Sequence, residues 1–185
     1  MKFSRLGSIS WIALFEFFVI VGLACYVLYG QMNTAQNNIK YDRDAIRISN
    51  LTDIRYALSQ YKNAHGSYPT CLYKKAGCVS LEGSDQMKVV PHDPLTNMEY
   101  AYASIGSGSL CTGFHVGTSL ERTRSQALLV GSDAPPVSSN DLCKGSTPDF
   151  SGLSYAQGGY PCNANAGVAQ PTDDPSGETC FDLER

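Results

Sequence analysis

No proline occurs before Pro69, so nothing in the first third of the chain forbids a continuous helix. Tryptophan occurs once, at Trp11, and charged residues make up only 17% of the 185 residues. Net charge is -3 and pI is about 5.5. Without a basic excess there is no electrostatic footprint for nucleic acid. There is no Cys-x-x-Cys and no Cys/His pair at finger spacing, which removes the usual zinc ligand sets. His65, His92 and His115 stand far apart, and neither Gly-x-Ser-x-Gly nor His-Glu-x-x-His occurs. The sequence therefore offers no catalytic constellation, and no enzymatic activity is expected.

What is present starts with an apolar run, residues 9–30, broken only by Ser10 and Glu16. At about 1.5 Å per residue it spans roughly 33 Å, enough for a bilayer core of about 30 Å. Lys2 and Arg5 precede it in a basic leader, residues 1–8, and no basic residue follows before Lys40. The positive-inside bias predicts a cytoplasmic N-terminus and an extracytoplasmic remainder. Six of the seven cysteines lie beyond the span: Cys71, Cys78, Cys111, Cys143, Cys162 and Cys180. An even set there predicts disulfides in an oxidising compartment. The preferred pairs are Cys71–Cys78, Cys111–Cys143 and Cys162–Cys180, of which only the first rests on close spacing. Cys25, inside the run, is read as a free packing thiol.

Residues 31–64 continue as an amphipathic helix. Met32, Ala35, Ile39, Ile46, Leu51, Ile54, Leu58 and Tyr61 form the predicted stripe, with Lys40, Asp44, Arg47 and Lys62 off it. Gly66 fits a left-handed cap and Pro69 prevents continuation. Residues 65–131 then read as a loop, a turn at Asp93-Pro94-Leu95-Thr96-Asn97, and three strands: 99–104, 110–117 and 126–131. Tyr56, Tyr61, Tyr68, Tyr100 and Tyr102 are assigned to a helix–sheet core. Residues 132–185 hold six of the nine prolines and three cysteines; disulfides rather than a large core are expected to order them. The whole predicts an α+β chain: a long N-terminal transmembrane-plus-amphipathic helix on a small antiparallel β-meander, with a disulfide-rich C-terminal tail.

Glu16 is the sharpest feature, because an ionisable group in hydrocarbon is costly and marks function by default. The stretch Leu14-Phe-Glu-Phe-Phe-Val-Ile-Val21 resembles the N-terminus of type IV pilins and type II secretion pseudopilins. Asp42 to Tyr61, Asn63-Ala-His-Gly-Ser-Tyr-Pro69, Val90-Pro-His-Asp-Pro-Leu-Thr-Asn97 with Tyr100, Phe114 to Glu121 and Cys180-Phe-Asp-Leu-Glu184 extend the resemblance, in order, over most of the chain. It implies a pilin-like fold and a filament subunit, polymerising with itself and other pilins. It also implies a prepilin peptidase, an assembly platform and N-methylation. Glu16 would be the assembly residue, meeting an adjacent subunit's N-terminal amine. Counting back from it places the leader cut between Trp11 and Ile12. Trp11 stands where the family has glycine; the nearest glycine is Gly7.

The resemblance also implies calcium in the C-terminal loops, where oxygen ligands would come from Asp173, Asp174 and Asp182, near Glu178. No EF-hand spacing is present, solvated acids are the plainer account, and no cofactor is expected. Two other readings remain open. One is a membrane-anchored extracytoplasmic binding domain that never polymerises. The other is a lipoprotein acylated at Cys25, but Gly22-Leu-Ala-Cys25 has its leucine one position off and the apolar run continues to Tyr29.

Overall fold

The computed structural model describes residues 11–122, 127, 131, 132, 134–150 and 180–185. Two compact units are distinguished, residues 1–39 and 40–185. One helix, α1 Trp11–His65, contributes to both. Its stop has the local cause read from sequence. Gly66 takes φ +78°, a left-handed turn that favours glycine, and its N–H donates to the Lys62 carbonyl at 2.8 Å.

In the first unit the helix is apolar from Trp11 to Gly30, apart from Glu16, and its described side chains are exposed. Exposure of its large apolar side chains runs from 36% at Leu14 to 87% at Trp11. The segment is long and apolar enough to cross a membrane. Cys25 is an exposed free thiol.

In the second unit a three-stranded antiparallel sheet has the order β1 Ala101–Ser107, β2 Leu110–Ser119, β3 Cys180–Glu184. The expected third strand at 126–131 is not the one in the sheet. Ala127 and Gly131 are not in a strand, and residues 126 and 128–130 lie outside the described residues. The sheet is completed by Cys180–Glu184, paired with Ser119 back to His115. Short-range spacing favoured the apolar run 126–131, but β2 pairs with a segment some sixty residues further along, a distance that local pattern does not report.

Pleating sorts the sheet into two faces. Tyr102, Ser104, Phe114, Val116, Phe181 and Leu183 share the face that forms one core with Leu51, Ile54, Ala57, Leu58 and Tyr61 of α1. Tyr68 meets Phe114 edge-on at 4.9 Å. The opposite face carries Ala103, His115, Gly117 and Asp182. The outer edge of β1 is covered too: the Cys143 N–H donates to the Ser104 carbonyl, and the Thr147 hydroxyl to the Tyr102 carbonyl. Such cover removes an open edge that would otherwise pair with other chains. Cys71 is bonded to Cys78 and Cys111 to Cys143. Cys180 is also disulfide-bonded; Cys162, its expected partner, lies outside the described residues.

The expected stripe of α1 is buried at Leu51, Ile54, Leu58 and Tyr61 but not at its earlier positions. Ile46 is 47% exposed, and Met32 and Ile39 are more exposed still, whereas Asp44 is 3% and Arg47 0% exposed. Positions 44, 47, 51, 54, 58 and 61 are the buried row. Each residue turns the helix by roughly 100°, so Ile46 points away from the face on which Arg47 lies. Tyr56, expected in the core, is 68% exposed; with Thr52, Arg55, Ser59, Glu184 and Arg185 it lines a surface groove of about 350 Å³.

Candidate functional site

Three constellations bear on function, one in the first unit and two in the second. In the first unit, Glu16 lies on an exposed helical segment. Its neighbours at three and four positions include Ile12, Val19 and Ile20, which are 70%, 44% and 66% exposed. A carboxylate ringed by uncovered apolar side chains has no counter-charge on its own turn of helix. Trp11 and Ile12, the residues flanking the expected leader cut, are the first described residues of the helix and are both exposed.

The second constellation is a buried ionic cluster, and sequence reading missed it. Arg47 is fully buried, and its guanidinium meets three carboxylates. Nε donates to Asp93 Oδ2 at 2.5 Å and Nη2 to Asp93 Oδ1 at 3.2 Å. Nη1 donates to Asp44 Oδ1 at 2.8 Å and to Glu121 Oε1 at 2.7 Å. Arg43 forks onto the same Glu121 at 2.6 and 2.5 Å. Backbone groups satisfy the remaining acceptors. The Glu121 and Arg122 N–H groups donate to Asp44 at 2.8 and 3.1 Å, and the Leu95 and Thr96 N–H groups to Asp93 Oδ1 at 2.9 Å.

Asp93 therefore both closes its own turn and receives the helix. The turn needs a left-handed residue, which Asn97 supplies at φ 56°. Burial pushes the Asp93 carboxyl up, but hydrogen bonds from Arg47 and Thr96 and the charge of Arg47 outweigh it and hold it down at about 2. Glu121 is likewise lowered: burial opposes, and the two arginines prevail. For Asp44, burial is the larger effect and its carboxyl is raised. The sequence signal was present. Asp44 and Arg47 sit three apart, in phase with Leu51, Ile54 and Leu58, so a charged pair prolongs the apolar row.

The third constellation is a buried histidine between two acids. His115 is 1% exposed. Its Nδ1 lies 2.8 Å from Asp149 Oδ1 and its Nε2 2.8 Å from Asp182 Oδ2. The Phe150 ring stacks on the imidazole with centroids 3.9 Å apart. Gly117 makes room for that ring, since a Cβ there would come within 2.7 Å of it. Burial would lower the imidazole, but hydrogen bonds and charge from Asp149 and Asp182 raise it to about 9. Asp149 is lowered, burial being outweighed by His115 and the Val137 N–H.

Of the three calcium candidates, Asp173 and Asp174 lie outside the described residues. Asp182 is fully buried and engaged with His115 and with the Ala134 N–H at 3.1 Å. Among the described residues, no group of three or more His, Cys, Asp or Glu side chains is placed to hold a metal ion. Apart from Arg43, which is 23% exposed, the charged side chains of both clusters are buried and paired with one another.

No family model, no curated protein and no solved structure matches this chain. The site's own geometry therefore carries the functional reading.

Proposed function

We propose that the chain is a structural subunit of a filament of the type IV pilus or type II secretion pseudopilus kind, assembled from a membrane through the first part of α1. One observation carries this reading. The helix from Trp11 to Tyr29 presents large apolar side chains on every side, with Glu16 as its single residue charged at neutral pH. Such a surface needs lipid or other copies of itself as cover. A membrane anchor alone explains the apolar surface but gives Glu16 no role. Bundled copies would give it one, as the partner of a positive group on a neighbour, and repeated pairing would set the axial register. The second unit would then coat the bundled helices, with its domain outside the cytoplasm.

The test is Glu16→Gln in cells that assemble the wild-type chain. The expected result is subunits retained in the membrane and no filaments by electron microscopy of sheared fractions. Normal filaments from the variant would end the reading.

Trp11, standing where the resembling family has glycine, favours a second reading: an anchored, non-polymerising extracytoplasmic domain. Intact mass separates the two. Loss of the first eleven residues, with or without N-methylation, supports the filament subunit. A full-length chain that forms no filaments supports the plain anchor.

A further inference from the structure

We propose that His115 is a doubly protonated bolt that holds strand β3 in the sheet, so that β3 is locked by a proton rather than by a metal ion. Ionised carboxylates only accept, and a neutral imidazole has one N–H. Both ring nitrogens of His115 lie 2.8 Å from a carboxylate oxygen. Only the imidazolium satisfies both contacts. Removing one proton would set a ring lone pair against an acid oxygen, in a site sealed from water.

The three residues come from three separate parts of the unit. His115 is on β2, Asp182 on β3, and Asp149 on the stretch after the Ser139–Asp141 turn. Register places Asp182 opposite Gly117, one pleat along from His115 on the same face. The bond is thus diagonal across the β2–β3 pair and ties β3 sideways, beyond the backbone ladder. Asp149 adds the covering segment, which it also grips through the Val137 N–H at 2.8 Å. Phe150 closes the site from above.

The charged and titratable groups facing the ring, among the described residues, are few. They are Asp149 from the covering segment and Asp182 from β3. Glu184, the register partner of His115, is exposed. From β1, the register partner is Ala103, which does not titrate. With the bolt charged, β3 is closed and Phe181 and Leu183 stay in the core. With the proton gone, one of the two acids loses the imidazole as a donor, and opening of β3 exposes those side chains and the edge of β2.

The sign follows from the ring's position at about 9 against 6.5 when unperturbed. The stabilisation is complete below 6.5 and is lost as pH rises through about 9. At neutral pH the bolt is closed.

The experiment uses the full chain in detergent micelles, with 15N-labelled histidine, followed by NMR. Both His115 ring nitrogens are expected to be protonated at about pH 7.5, with a midpoint more than one unit above an unperturbed histidine. A neutral ring at that pH overturns the proposal. Hydrogen exchange across the β2–β3 ladder, corrected for intrinsic rate, is expected to lose roughly tenfold protection between about pH 7.5 and 9.5. In His115→Gln that alkaline step should vanish; the same step in the variant overturns the proposal. Should His115→Gln not fold, Asp149→Asn decides, because it should lower the midpoint by about one unit or more, and an unmoved midpoint is fatal. Added calcium should leave the wild-type midpoint where it is. A calcium-dependent shift would mean that Asp182 serves a metal, and the proton lock would be wrong.

Discussion

Arg47 on α1 and Asp93, forty-six positions later in a surface turn, form a two-point ion pair with no solvent access. The pair joins the helix to the loop that leads into β1. It also lies where the second unit begins, a few residues after Lys40. The helix is thus held to its domain by charge at this end of the buried row and by Leu51, Ile54 and Leu58 further along.

Replacing Arg47 by Met should be strongly destabilising. It would leave Asp44, Asp93 and part of Glu121 buried without their cation. Breaking a buried ion pair by removing one partner costs about 3–5 kcal/mol. Arg43→Ala should cost far less, because Arg43 is 23% exposed and Arg47 still serves Glu121. Urea unfolding of the full chain in detergent, followed by circular dichroism, checks the order. Equal losses from the two variants would contradict a cluster centred on Arg47.

Acid should attack the same cluster. Asp93 falls from 3.8 to about 2 on folding, so its stabilisation is full above 3.8 and is lost as pH falls through about 2. Glu121 is lowered too and acts in the same direction. Asp44 is raised, so its protonation partly relieves a burial penalty and blunts the acid loss. The urea midpoint should therefore drop steeply below about pH 4 in the wild type. In Asp93→Asn the drop should be shallower. An identical acid limb would show that Asp93 is not the group responsible.

Gly117→Ala tests the space above the sheet. The new Cβ would meet the Phe150 ring at 2.7 Å and the Asp182 Cβ at 3.3 Å. Overpacking of this kind costs about 1–3 kcal/mol. Thermal unfolding should shift down, and the His115 ring resonances should move as Phe150 is displaced. Unchanged resonances together with unchanged stability would mean that Phe150 does not rest on Gly117.

The two mapped disulfides should differ in worth. Cys111–Cys143 closes a loop with a separation of 32, and Cys71–Cys78 one of 7. On chain entropy alone the longer bridge contributes about 3–4 kcal/mol and the shorter about 2.5 kcal/mol. Double Ser variants of each pair, compared by denaturant midpoint, check the ranking. A larger loss from the Cys71–Cys78 pair would show that strain or local packing, not loop length, governs.

Much of the fold was legible because its signals are local. The proline-free start, the apolar run with Glu16, and the stop at Gly66 and Pro69 each depend on neighbours a few residues away. β1 and β2 were legible for the same reason, as alternating segments on either side of a Gly-Ser turn. The helix face was legible from Leu51 to Tyr61, but not its continuation towards the N-terminus. Apolarity pointed to Ile46, yet Arg47 is the buried neighbour. A guanidinium is placed inside only when acids arrive from elsewhere, and Asp93 and Glu121 arrive from far along the chain.

The amino-acid order alone determined one long helix, its membrane-compatible first part, its end, and the presence of bridges beyond it. Those properties follow from backbone sterics and from hydrophobic run length, which act within a few turns. Tertiary structure decided that Cys180–Glu184 completes the sheet, that Arg47 is internal, and that His115 sits between Asp149 and Asp182. Each of these depends on long-range contacts that become favourable only when distant segments are desolvated together, and no local window of residues contains that information.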